Sequence, residues 1–202
     1  MKALYVTDRA AIGDRRFLAL LGELAGTPEL SVELREKEAD DRSRLAWAER
    51  ARTALGPVPL YVNARFDVAL AANADGVHLP ADGLPLAAVR AHTPRGFRVG
   101  VSTHSAGEAR SAIESGADLV VLGPIFDTPS KRRFGAPLGP DVLRDLPPRG
   151  SHGSDVFAIG GIGEDAIDAL EPYRDRISGV AGVRLFQEAA DPRAVAARIA
   201  AR

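Results

Sequence analysis

A (βα)8 TIM barrel is the fold class the sequence predicts, and three observations predict it. Eight short β-branched runs recur along the chain. Stretches of helical periodicity separate them, as at Leu45, Ala48, Ala51 and Leu55, with Arg, Asp or Glu on the outer face. The runs are continuously apolar rather than alternating, which is how parallel strands covered on both faces read. Eight right-handed βα units most simply close on themselves, although 202 residues is short for such a barrel. A doubly wound open sheet is the runner-up. Against it, Asp8, Arg9 and Ala10 follow the first run where that fold carries a Gly-rich fingerprint.

In order, the strands are expected at Leu4–Thr7, Val32–Leu34, Val58–Val62, Val77–Leu79, Val99–Val101, Leu119–Ile125, Val156–Ile159 and Val180–Val183. Ser105 and Glu108 read as a capping box opening the helix after the fifth strand. Asp191 followed by Pro192 reads as an N-cap and a first-turn proline for the last helix. Residues 137–153, rich in Pro and Gly, read as two loops around one short helix. Nothing resembles a linker, so residues 1–202 are expected to form one barrel domain.

The chain is 46% hydrophobic and 26% charged, with 26 Lys+Arg against 27 Asp+Glu. A core of this size buries roughly 70% of the surface of the unfolded chain, so folding needs no metal or disulfide. Near neutrality removes the electrostatic footprint of a nucleic-acid or anionic-membrane binder. The absence of Cys excludes thiol nucleophiles, Fe–S clusters and thiolate zinc sites. Residues 1–14 carry charge at Lys2, Asp8, Arg9 and Asp14 and lack the apolar core of a signal peptide, and no apolar run is long enough to span a bilayer. A cytoplasmic protein is expected, with neither nucleic acid nor membrane as partner. A homo-oligomer stays open.

Barrel active sites form at the C-terminal ends of the strands. Here those ends carry Asp8 and Arg9; Arg35, Glu36 and Lys37; Asn63 and Arg65; Pro80 and Asp82; Ser102, Thr103 and His104; Thr128, Ser130 and Lys131; Gly160 and Gly161; and Arg184. The set suits an anion. Among 23 Arg the chain has three Lys, and two of them, Lys37 and Lys131, lie just past the second and sixth strands, where a compact ammonium can meet phosphate oxygens. Gly160-Gly161-Ile162-Gly163 follows the seventh strand, where loops of this fold cradle phosphate. Residues 123–135 mix hydroxyls, cations and glycine, as a flap over an anionic substrate would. His78 reads as a hydrogen-bonded core residue, whereas His104 stands where a general acid or base belongs. No pair of His has zinc-ligand spacing.

These strings resemble the thiamine phosphate synthases. The resemblance rests on Leu4-Tyr5-Val6-Thr7-Asp8, Leu34-Arg35-Glu36-Lys37, Val62-Asn63 with Arg65, Ala74-Asp75-Gly76-Val77-His78-Leu79 and Gly100-Val101-Ser102-Thr103-His104. It continues through Gly123-Pro124-Ile125-Phe126 with Thr128, Ser130 and Lys131, Pro137-Leu138-Gly139 and Ala158-Ile159-Gly160-Gly161-Ile162. It runs from residue 4 to about 192 and also covers the thiazole tautomerases of the same superfamily.

The resemblance implies a TIM barrel joining hydroxymethylpyrimidine diphosphate to hydroxyethylthiazole phosphate. The diphosphate departs first, and the thiazole nitrogen traps the methylene cation. Matching the pyrimidine diphosphate site are Glu33, Arg35, Lys37, Asn63, Ser102 and Lys131. Matching the thiazole phosphate site are Thr128, Ser130, Gly161, Val183 and Arg184. Ser102, His104 and Lys131 are the expected catalytic residues. The family usually has Gln at Glu33, Ser at Arg184, and at Ala64 and Gly83 the two Asp that bind Mg²⁺. Asp67 and Asp82 are the substitute ligands if Mg²⁺ is the cofactor. A metal-free tautomerase using His104, or a non-catalytic barrel binding thiamine precursors, are the alternatives.

Overall fold

A computed structural model describes residues 1–128 and 136–202. The strands are β1 (Lys2–Val6), β2 (Leu30–Leu34), β3 (Leu60–Asn63), β4 (Gly76–Leu79), β5 (Arg98–Thr103), β6 (Leu119–Leu122), β7 (Asp155–Ile159) and β8 (Gly179–Gly182). Each is parallel to the next and β8 pairs with β1, so the sheet closes into a barrel. Between them lie α1 (Arg9–Ile12), α2 (Asp14–Leu24), α3 (Asp41–Leu55), α4 (Phe66–Ala71), α5 (Leu86–Arg90), α6 (Ala106–Glu114) and α7 (Glu164–Asp168). After β8 come α8 (Arg184–Gln187) and α9 (Pro192–Ala200).

All eight expected runs are strands, with shifted ends. β3 starts at Leu60 rather than Val58, and β6 stops at Leu122 rather than Ile125. Pro59 and Pro124 stand at these two limits, and proline has no N–H to give to a ladder. The β6–β7 crossover contains a 3-10 turn over Pro140–Asp145. Asp191 caps α9 by accepting from the Arg193 and Ala194 amides, with Pro192 in the first turn. Ser105 caps α6 through the Glu108 amide at 3.1 Å, but the Glu108 carboxylate takes the amide of His104 instead of that of Ser105.

The strand registers sort the interior. Paired residues point to the same side of a sheet, and the pairs Leu4↔Ala181, Tyr61↔Gly76, His78↔Gly100 and Val121↔Phe157 place one parity of each strand inside. Three layers follow. At the N-terminal end Lys2 and Arg98 meet Asp155; in the middle Leu4, Val6, Tyr61, Leu119, Val121, Phe157 and Ala181 form an apolar plug. At the C-terminal end Glu33, Asn63, His78 and Ser102 form a polar layer. Residues of the other parity, such as Tyr5, Val32 and Val99, pack outward with the helices.

The lower layer makes a stability prediction. Lys2 Nζ lies 2.8 and 3.0 Å from the two Asp155 oxygens, and Arg98 Nη2 lies 2.9 Å from Oδ2. Burial works to raise the pKa of Asp155, but the hydrogen bonds from Lys2 and Arg98 outweigh it and hold it below the ordinary carboxylate value. A depressed carboxylate contributes stability that is complete above its unfolded pKa, about 4, and lost as pH falls through the lower folded value. Asp155→Asn is expected to cost about 2–3 kcal/mol at neutral pH, because two cations lose their partner, and to flatten the acid limb. Thermal melts between pH 3 and pH 7 check both.

Candidate functional site

The mouth at the C-terminal ends of the strands is built from loops whose shapes the structure explains. The loop from Arg35 to Asp40 leaves β2 carrying two of the candidate cations. Its amide at Arg35 donates to Thr7 Oγ1 at 3.0 Å. Buried Glu36 accepts from Arg9 Nε and Nη2 at 3.0 and 2.8 Å, and Arg44 donates to the carbonyls of Glu36 and Ala39. Asp40 then caps α3 through the Ser43 amide at 2.8 Å. These contacts tie the loop to α1, α3 and the end of β1. Arg35 is half-buried and Lys37 exposed, and neither side chain has a hydrogen-bond or ion-pair partner among the described residues. The cationic groups are left for a ligand.

Next to them lies the polar upper layer. Glu33 and His78 are each 2% exposed. One Glu33 oxygen accepts from Asn63 Nδ2 at 2.9 Å and the other meets His78 Nδ1. His78 Nε2 lies 3.1 Å from Ser102 Oγ. The sequence-derived reading of Glu33 as a substrate contact therefore meets a side chain whose two oxygens are spent inside the protein; it reaches the mouth through Asn63 and His78. Asn63 and Ser102 are half-buried and border the opening.

Across the mouth, Gly160 and Gly161 have φ of 100° and 66°. The Phe126 amide donates to the Gly160 carbonyl at 2.9 Å, so the start of the β6 loop lies directly on this turn. A Cβ on Gly161 would stand 2.5 Å from the Asp127 carbonyl oxygen. Close packing thus requires glycine here as much as any ligand does. The Gly161 and Arg184 amides donate to no acceptor among the described residues, leaving N–H groups at adjacent strand ends. Val183 is half-buried and Arg184, exposed, opens α8. Gly161→Ala is expected to cost about 2 kcal/mol or more, since it adds a clash to left-handed backbone strain; a thermal melt measures it.

His104 is exposed, and its Nδ1 lies 2.8 Å from the Gly123 carbonyl oxygen. That nitrogen donates, and Nε2 is left. Thr128 is half-buried in the described part of the β6 loop, while Ser130 and Lys131 lie outside the described residues.

The two suggested Mg²⁺ ligands stand in different surroundings. Asp67 is exposed, but Arg65 grips both of its oxygens at 2.8 and 2.5 Å and holds its carboxyl below the usual range. Asp82 is exposed in the turn after β4. Ala64 and Gly83 bring no side-chain oxygen. Among the described residues no group of three or more His, Asp or Glu side chains is placed to hold a metal. Ala64 does keep a left-handed φ of 64°, a conformation Asp and Asn tolerate better than Ala. Mg²⁺ is ordinarily held by one or two carboxylates together with substrate phosphates; of the two candidates here, Asp67 is paired with Arg65 and Asp82 is an exposed carboxylate next to Gly83.

Sequence reasoning missed the functional place of His78, together with Thr7, Arg9 and Arg44 as loop anchors. Only strand parity and register could have brought His78 into one layer with Ser102.

The family described as thiamine monophosphate synthase matches residues 3–186. A Geobacter sulfurreducens protein, provisionally named a thiamine-phosphate synthase, is 42% identical over 192 residues, covering 93% of this chain and 86% of that one. The thiamine-phosphate synthase of Chloroflexus aurantiacus is 41% identical over 181 residues, 88% of this chain and 82% of its own. Among solved structures, the thiamine phosphate pyrophosphorylase of Pyrococcus furiosus superposes with a TM-score of 0.81 at 26% identity, over 99% of this chain and 94% of that one. With a family match over nearly its whole length and a barrel of the same shape, this chain belongs to the thiamine monophosphate synthase family.

Proposed function

We propose that the protein is a thiamine-phosphate synthase, a transferase that moves the aminopyrimidinylmethyl group from its diphosphate to the nitrogen of hydroxyethylthiazole phosphate. The observation that carries this reading is the Arg35–Asp40 loop, which holds two cations without partners among the described residues beside a hydrogen-bonded polar layer. In the reaction the bond between the methylene carbon and the diphosphate oxygen breaks, and its electron pair leaves with the diphosphate. The thiazole nitrogen then donates its lone pair to the methylene carbon. In this reading Arg35 and Lys37 neutralise the charge growing on the leaving group. The Gly161 and Arg184 amides and the Arg184 guanidinium are placed for the thiazole phosphate, which fixes the acceptor in line. Lys131, Ser130 and Thr128 are assigned to the phosphates by resemblance alone.

His104 ties the end of β5 to the β6 loop through Nδ1. The compartment that suits this reading is the cytoplasm, in keeping with a chain without cysteine; among the described residues no helix is long and apolar enough to cross a membrane.

The test is to supply both substrates to the purified protein, in Mg²⁺ and in EDTA, and to measure diphosphate and thiamine phosphate together. Equal amounts of the two products are expected. Neither product under either condition would overturn the reading, and the difference between the conditions measures the part played by the ion.

A further inference from the structure

We propose that His78 is a positioning residue that fixes the Ser102 hydroxyl as a hydrogen-bond acceptor toward the mouth, so that the site selects a pyrimidine bearing an exocyclic amino group over one bearing an oxo group. The inference rests on the proposed activity for the identity of the ligand, and on the polar layer alone for its direction.

Asn63 Nδ2 can only donate, and it does so to one Glu33 oxygen at 2.9 Å. The other oxygen of that carboxylate meets His78 Nδ1. A carboxylate accepts, so Nδ1 carries the proton. In the neutral ring Nε2 is then a bare acceptor, and Ser102 Oγ, 3.1 Å away, supplies its single proton to it. The remaining lone pairs of Ser102 are left for the mouth. Asn63 ends in the same state, since its amide nitrogen donates to Glu33 at 2.9 Å and, at 3.5 Å, to the His78 carbonyl, and among the described residues its Oδ1 is left to accept. Two acceptors at the ends of β3 and β5 are complementary to an N–H donor. An oxo oxygen in the same place would bring lone pair against lone pair, and a site built for a donor rejects the analogue that lacks it. His78 touches no substrate, since it is 2% exposed and lies behind Ser102.

Two measurements test this. In wild-type protein labelled with ¹⁵N-histidine, with His78 assigned by comparison with His78→Gln, the neutral ring is expected with Nδ1 protonated and Nε2 bare. A proton on Nε2, or on both nitrogens, would turn Ser102 outward as a donor and overturn the proposal, whether or not the protein has synthase activity. In the second, calorimetry compares the aminopyrimidine diphosphate with its oxo counterpart, which needs no turnover. Wild type is expected to favour the amino compound, and Ser102→Ala to lose about tenfold of that preference, roughly one hydrogen bond's worth. His78→Gln should lose a similar share while binding inorganic diphosphate as wild type does, which a general disruption of the mouth would not allow. Equal affinity of wild type for the two pyrimidines, or a preference unmoved in Ser102→Ala, contradicts the proposal. If binding behaves as expected while no thiamine phosphate forms, the activity reading fails and the selection by Ser102 stands.

Discussion

Gly179→Ala is expected to be among the most destabilising single-methyl changes in this protein. Gly179 pairs with Lys2 across the seam where β8 meets β1. A Cβ there would lie 1.9 Å from the Lys2 carbonyl oxygen and 2.6 Å from its carbonyl carbon. These are backbone atoms, so no side-chain rotation relieves the clash; the two strands must part or shift register. Parting them opens the barrel and uncovers the apolar plug. Overpacking of this kind costs about 3 kcal/mol or more, which for a chain of this size lowers Tm by about 6–12 °C. Gly22→Ala is the control. Gly22 lies inside α2 with nothing within 4 Å of the added methyl, and Ala is the better helix former, so that variant should be stabilised by about 0.5–1 kcal/mol. Thermal melts of both variants, followed by far-ultraviolet circular dichroism, separate a seam effect from a general intolerance of methyl groups.

Arg35→Ala is expected to lower kcat/KM for diphosphate release by about 10²–10³-fold, the usual loss when a fixed donor is taken from a developing anion. The effect should fall on catalysis and diphosphate affinity and leave the fold intact. The Arg35 side chain has no protein partner among the described residues, while the loop that carries it is held through backbone and Glu36 contacts that the substitution does not touch. Lys37, on the same loop but exposed, is expected to give a smaller loss in the same direction. Steady-state kinetics alongside a thermal melt check the pair. A large fall in Tm for Arg35→Ala would mean that Arg35 supports the loop and not the ligand.

The barrel was legible because its signals are local. Each apolar run and the Ser105 and Asp191 caps act within a few residues, whereas the limits set by Pro59 and Pro124 were not read and the expected strands ran through them. The anion character of the mouth was legible for a related reason: in a parallel barrel every strand end reaches the same face, so Arg35, Lys37 and Gly161 could be gathered without knowing their contacts. The contacts themselves depend on register between separate strands. Glu33 and His78 are 45 residues apart in sequence, and only the pairing of β2 through β5 puts them in one layer with Ser102. His78 was read correctly as a hydrogen-bonded interior residue, yet its partners made it part of the site. Asp67 has a partner that was not read from the sequence. A carboxylate near the expected ligand position suggested a metal role, while Arg65, two residues away, takes both of its oxygens.

The central claim is that this mouth grips phosphorylated heterocycles through the Arg35–Asp40 loop on one side and the Gly161–Arg184 strand ends on the other. A crystal structure of the protein with thiamine phosphate and inorganic diphosphate bound tests it most directly. The account predicts the diphosphate against Arg35 and Lys37, the thiazole phosphate against the Gly161 and Arg184 amides, and the pyrimidine amino group on Ser102. Both molecules seated elsewhere, with Arg35 and Lys37 turned to solvent, would contradict it.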